Sequence, residues 1–105
     1  HIGGIINPDI DQIASYCKKQ GVILIEDCAH SLGSTYKNKH SGLFGDAGIY
    51  SFYATKAIPA GEGGIVVTND EEIGHMVQKF SMYDRFDQKL NIVSQNIFPM
   101  FSHHY

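Results

Sequence analysis

Cysteine is scarce in this chain, long apolar runs are missing, and neither sign of charge dominates. Two cysteines in 105 residues, Cys17 within an amphipathic helix pattern and Cys28 just past a strand pattern, cannot form the dense cross-linked framework of small secreted domains. Reduced thiols in a cytoplasm are the expectation. No stretch approaches the roughly 20 apolar residues of a membrane-spanning helix, and the first residues lack a basic segment followed by an apolar one. A soluble chain without an export signal is therefore expected. Eight Lys and Arg against eleven Asp and Glu leave a net charge of -3, which offers no basic footprint for nucleic acid. Motifs are missing too. "GEGG" at 61–64 precedes a strand pattern instead of opening a helix, so it fits neither common nucleotide loop. G-x-S-x-G is absent, and His40, His103 and His104 have no zinc-ligand spacing with cysteine, so neither a serine hydrolase nor a metal site is expected.

What is present reads as alternating helix and strand. The 43% of apolar residues suffices for a core. In "NPDIDQIASYCKKQG", Asn7 reads as an N-cap and Pro8 as the first helical residue; Ile10, Ile13, Ala14 and Cys17 share a face, and Gly21 is the stop. "VILIED", residues 22–27, reads as a strand buried on both faces whose carboxyl end opens to solvent. "CAHSLGSTYKNKHSGLFG" reads as a connection. "AGIYSFY" and "GGIVVTN" are two further strand patterns, and the joint "ATKAIPAGE" is too short for a crossover helix, so antiparallel pairing is expected between them. "NDEEIGHMVQKF" predicts a second helix with Asn69 as its cap and Ile73, Met76, Val77 and Phe80 on one face. From Ser81 to Tyr105 no period is visible, and a loop with at most a short helical turn is expected. The chain opens at "HIGG" without an initiator Met and ends at "FSHHY", so it reads as a piece of a longer protein.

Taken singly, the candidate chemical groups have plain structural explanations. Asp27 could cap a turn, His30 could be a satisfied polar side chain, Ser51 could pack within "YSFY", and Lys56 could be a solvated loop amine. Their combination points further. "IEDCAHSLGSTYKNKHSG", "FGDAGIYSFYATK" and "GEGGIVVTND" follow one another between Val22 and Asp70, after "HIGGIINPDIDQI". In this order they resemble the fold-type-I pyridoxal-phosphate (PLP) enzymes, and closely the DegT/StrS group of sugar aminotransferases.

The resemblance implies an α/β fold, with residues 1–105 as the central part of the PLP-binding large domain. Its sheet would be mostly parallel with an antiparallel strand after the lysine loop, and the N-terminal segment and small C-terminal domain would lie outside this chain. It implies that Lys56 binds PLP covalently, that Asp27 pairs with the pyridine nitrogen, that Ser51 contacts the phosphate and that His30 lies near the phenolic oxygen. It further implies transfer of an amino group from an amino acid, glutamate by expectation, to a nucleotide-linked keto sugar, in a cytoplasmic homodimer. Lys56 favours transamination over the dehydrating branch, which carries His at that position. "SMYDRFDQ" departs from the Asn-His-Gly type of segment of the family. Two other readings stay open: a non-catalytic α/β module or inactive fragment, and another fold-type-I enzyme acting on a cyclitol or an amino acid.

Overall fold

The computed structural model describes residues 1–53 and 63–81 with their side chains and the backbone of 97–100. Helix α1 spans Ile10–Gln20. Asn7 does not cap it directly: its Oδ1 accepts from Asp9 N at 2.9 Å and its carbonyl from Ile10 N at 3.0 Å, so Asn7 turns the chain and Asp9 takes the cap position. The helix therefore starts two residues beyond Pro8. Asp11 in the first turn and Lys18 and Lys19 in the last complement the helix dipole. Gly21 ends it as expected, at φ 66: Val22 N donates to Cys17 O at 2.9 Å and Gly21 N to Lys18 O at 3.3 Å, the paired bonds of a Schellman turn.

Strand β1 is Ile25–Asp27, shorter than the expected 22–27. Val22 is committed to the helix stop, and Leu24 is engaged by Asp46, whose Oδ2 accepts from Leu24 N at 2.8 Å. The expectation of burial on both faces also fails. Glu26 is 3% exposed but Ile25 is 57% exposed, because β1 is an edge of its sheet among the described residues and the face that carries Ile25 is only partly covered. The expected connection after β1 contains a hairpin, β2 (Thr35–Tyr36) with β3 (Lys39–His40). Lys37 and Asn38 close it at φ 50 and 61, positive at both central positions as a type I′ turn requires.

Strand β4, Ala47–Ser51, runs parallel to β1, and β5, Gly64–Val67, returns antiparallel to β4 as expected, with Gly48 opposite Val67 and Ser51 opposite Gly64. A Cβ at Gly48 would overlap the Gly42 Cα, so only glycine lets those two backbones pass. Helix α2 spans Glu71–Ser81. Its cap is Asp70 and not Asn69: Asp70 Oδ1 accepts from Glu72 N at 2.9 Å and Ile73 N at 3.2 Å. The tail also departs from a loop. Residues 97–100 form β6 (Ile97–Met100), antiparallel to β5, and Pro99 is tolerated because β6 is the other edge of the sheet, whose order is β1-β4-β5-β6.

The two sheet faces differ. Cys28, Tyr50 and Val67 form the core of one, with Leu43 and Ile65 against them. On the other, α2 lays Ile73, Met76, Val77 and Phe80 beside Ile23, Ile25 and Ala47, leaving an apolar groove between helix and sheet.

Candidate active site

Strand alternation decides which side chains share a face. Asp27 stands opposite Ile49 in the parallel pair, and Ser51 lies two residues beyond Ile49, so Asp27 and Ser51 belong to the same face at the carboxyl end of β1 and β4. Open α/β sheets bind ligands at such ends. Asp27 is exposed, with Oδ1 accepting from Ala29 N at 3.0 Å, a local turn that fixes the carboxylate at the strand end. Its carbonyl accepts from the main-chain nitrogen of His1 at 3.0 Å, and Cys28 N donates to Ile49 O at 2.8 Å. Ser51 is half-buried and its Oγ accepts from Tyr53 N at 3.3 Å, so the hydroxyl proton is left to donate elsewhere. His30 is exposed on the loop three residues past Asp27.

Lys56 lies outside the described residues. Both ends of the segment that carries it are nevertheless fixed: Phe52 N donates to Gly63 O at 3.0 Å, extending the β4–β5 ladder beyond Ser51. That segment therefore leaves and rejoins the sheet at the end where Asp27 and Ser51 stand.

The model of the DegT/DnrJ/EryC1/StrS aminotransferase family matches residues 1–97. The chain belongs to this family. It is 38% identical over 96 residues to the spore coat polysaccharide biosynthesis protein SpsC of Bacillus subtilis, covering 91% of this chain and 24% of SpsC. It is 48% identical over 65 residues to a GDP-perosamine synthase of Escherichia coli O157:H7, covering 62% of this chain and 18% of that protein. Among solved structures it is similar to Helicobacter pylori PseC, an aminotransferase involved in the biosynthesis of pseudoaminic acid. The TM-score is 0.68 at 30% identity, over 97% of this chain and 26% of PseC. The chain thus spans 18% to 26% of the length of these relatives.

One residue that the sequence reading passed over is central to the geometry of this family member. Glu26 points to the face opposite Asp27 and is almost wholly buried. Its Oε1 accepts from Gly42 N at 2.9 Å and His1 Nε2 at 2.8 Å, and its Oε2 from Phe44 N at 2.8 Å and Gly45 N at 2.9 Å. A carboxylate has about four acceptor positions, and here four donors take them. His1, Glu26 and Cys28 have ligand atoms within 4.8 Å of one another, yet the donors already on Glu26 make this a polar staple and not a set of free metal ligands. The period-2 pattern alone places Glu26 away from Asp27; nothing in the sequence shows which backbone groups meet it.

Cys28 is fully buried, and burial pushes its thiol above the ordinary value. It stays protonated near neutrality and acts as a small core group, not as a nucleophile. Burial also raises the Tyr50 phenol, whose OH donates to Ser41 O while Ser41 Oγ donates to Ser31 O at 2.7 Å.

Proposed function

We propose that the full-length protein containing this chain is a PLP-dependent aminotransferase that moves an amino group from an amino acid, glutamate being the expected donor, to a nucleotide-linked keto sugar. The observation that carries this reading is the convergence of Asp27, Ser51 and both anchors of the Lys56 segment on one end of the β1/β4 pair. The donor set suits PLP. Asp27 engages Ala29 N through one oxygen, and its other oxygen would accept the N–H of a protonated pyridine ring. Ser51, already accepting from Tyr53 N, would donate to an anionic phosphate oxygen. His30 would hydrogen-bond the phenolic oxygen.

PLP, when bound, supplies an electron sink for the charge that develops at the donor Cα. The work of the chain is positioning and proton transfer. The Lys56 amine, attached to the cofactor at rest and displaced by the donor amine, would take the proton that leaves the donor Cα and hold it for return. The Asp27 carboxylate would keep the ring nitrogen protonated throughout. The names of the GDP-perosamine synthase and of PseC support a sugar as the amino acceptor, and we place the protein in the cytoplasm as a homodimer on the same footing. The test is an absorbance spectrum of the full-length protein with PLP before and after borohydride. A visible band that borohydride bleaches, with the reduced adduct mapped to Lys56, is expected. Lys56→Ala should abolish the band and lower activity by at least about a hundredfold. An adduct elsewhere, or none, would refute the assignment.

A further inference from the structure

Glu26 and Asp27 are consecutive acids that strand alternation sends to opposite faces, one buried and one exposed. The buried one ties together three stretches of chain: His1, the carboxyl end of β1, and the turn 42–45. Immediately after that turn Asp46 bonds back to Leu24 in both directions, Leu24 N to Oδ2 and Asp46 N to Leu24 O, each at 2.8 Å. β1 is thus gripped before Glu26 by Asp46, at Glu26 by four donors, and after it by the His1 nitrogen on Asp27 O. These bonds leave the backbone of Asp27 little freedom, so the direction of its carboxylate is set from the far side of the sheet.

We infer that Glu26 is a positioning residue for Asp27, clamping the end of β1 from the opposite sheet face so that the exposed carboxylate is held where a cofactor nitrogen meets it. This rests on the proposed PLP site. A supporting shell of this kind matters because a small misplacement of a reacting group costs large factors in binding and rate. Gln at position 26 has nearly the same size, but its amide nitrogen cannot accept, so one pair of donors now facing a carboxylate oxygen would face N–H groups instead.

The test uses the full-length protein in four forms: wild type, Glu26→Gln, Asp27→Asn and the double variant. PLP dissociation constants are measured by equilibrium dialysis, and hydrogen exchange is followed without PLP. Glu26→Gln should weaken PLP binding about tenfold when Asp27 is present and less than about twofold when it is Asn, since a residue acting through a neighbour is non-additive with it. In the PLP-free protein, exchange should quicken at 27–30 as well as at 41–46. Equal factors in both backgrounds, or unchanged exchange at 27–30, would overturn the positioning role. A wild-type protein that takes up no PLP would overturn the aminotransferase reading itself, a different result. Should Glu26→Gln fail to fold, His1→Ala removes one donor and His1→Gln restores an N–H. Weaker PLP binding in the first and recovery in the second is expected, and identical behaviour of the two would count against the clamp.

Discussion

Replacing Tyr50 by Phe tests the buried polar network on the far face of the sheet. The ring keeps its packing against Cys28 and Val67, so the change removes only the hydroxyl that donates to Ser41 O and lies 3.0 Å from Ser41 Oγ. Ser41 Oγ retains its bond to Ser31 O, but the Ser41 carbonyl loses this donor in a buried place. A buried group left without its partner costs about 1–3 kcal/mol, so the variant should be less stable by that amount at pH 7. The difference must also depend on pH. Burial raises the Tyr50 phenol above its ordinary 10.0, so between the unfolded and folded values the unfolded chain holds fewer protons. Stability therefore falls as pH rises through that window, and the contribution is fully present below it. Cys28, raised above 9.0 by burial, acts in the same direction from a lower pH in both proteins. Wild type should thus lose stability more steeply than Tyr50→Phe above about pH 10, and the gap between them should narrow. Urea midpoints at pH 7, 9 and 10.5, read by hydrogen exchange of the 41–51 peptide in the full-length protein, measure this. A gap that stays constant or widens would refute both the buried phenol and its role.

Asp70→Ala should quicken exchange of the Glu72 and Ile73 amides about fivefold, the equivalent of a cap worth about 1 kcal/mol, while Asp70→Asn should restore most of the protection. Equal exchange in wild type and Asp70→Ala would show that the cap lies elsewhere. Gly48→Ala places a methyl against the Gly42 backbone and should destabilise by about 1–3 kcal/mol or prevent soluble expression; a thermal midpoint unchanged from wild type would contradict the close approach. Ser51→Ala should weaken PLP binding by about ten- to a hundredfold, as loss of a hydrogen bond to a charged group predicts. Equal dissociation constants would remove Ser51 from the phosphate site.

Much of this geometry could be read from local pattern. The Gly21 stop, the antiparallel return of β5 and the face of Ile73, Met76, Val77 and Phe80 follow from short-range signals that the tertiary structure reinforces. The misreadings have physical causes. The β2–β3 hairpin turns on Lys37 and Asn38 without a glycine, so its positive φ angles carry no strong signal in the sequence. Pro99 argues against a strand until β6 is known to be an edge. Both helix starts fall one or two residues beyond the expected cap because several Asn and Asp residues compete there: the Asn7 side chain is taken by Asp9 N in the turn before α1, while Asp70 Oδ1 meets the free N–H groups of α2. Asp27 and Ser51 were legible as residues of their strands, and their proposed PLP contacts rest on the family pattern. The hydrogen bonds of Glu26 were not legible, since three of its donors lie 16 to 19 residues away and belong to the backbone, where side-chain identity carries no information.

The two faces of this sheet divide the labour that the pair Glu26–Asp27 makes visible. A strand cannot move one of two adjacent side chains without turning the other, so the burial of Glu26 and the exposure of Asp27 are one constraint, not two. The same holds on β4, where Tyr50 enters the network of Ser41 while Ser51 stays on the side of Asp27. The strand ends that carry Asp27 and Ser51 are stiff, because each is flanked by a buried neighbour, Glu26 or Tyr50, whose hydrogen bonds would have to break before the strand could turn. It also follows that inserting one residue into β1 ahead of Glu26 would shift each acid one place along the strand, turning Glu26 to the exposed face and Asp27 into the buried place now held by Cys28. Such an insertion should remove PLP binding even though both carboxylates remain in the chain, whereas an insertion in the 37–38 turn, on the hairpin and off the sheet, should leave binding intact. If both insertions cost the same, alternation between the faces is not what organises the site.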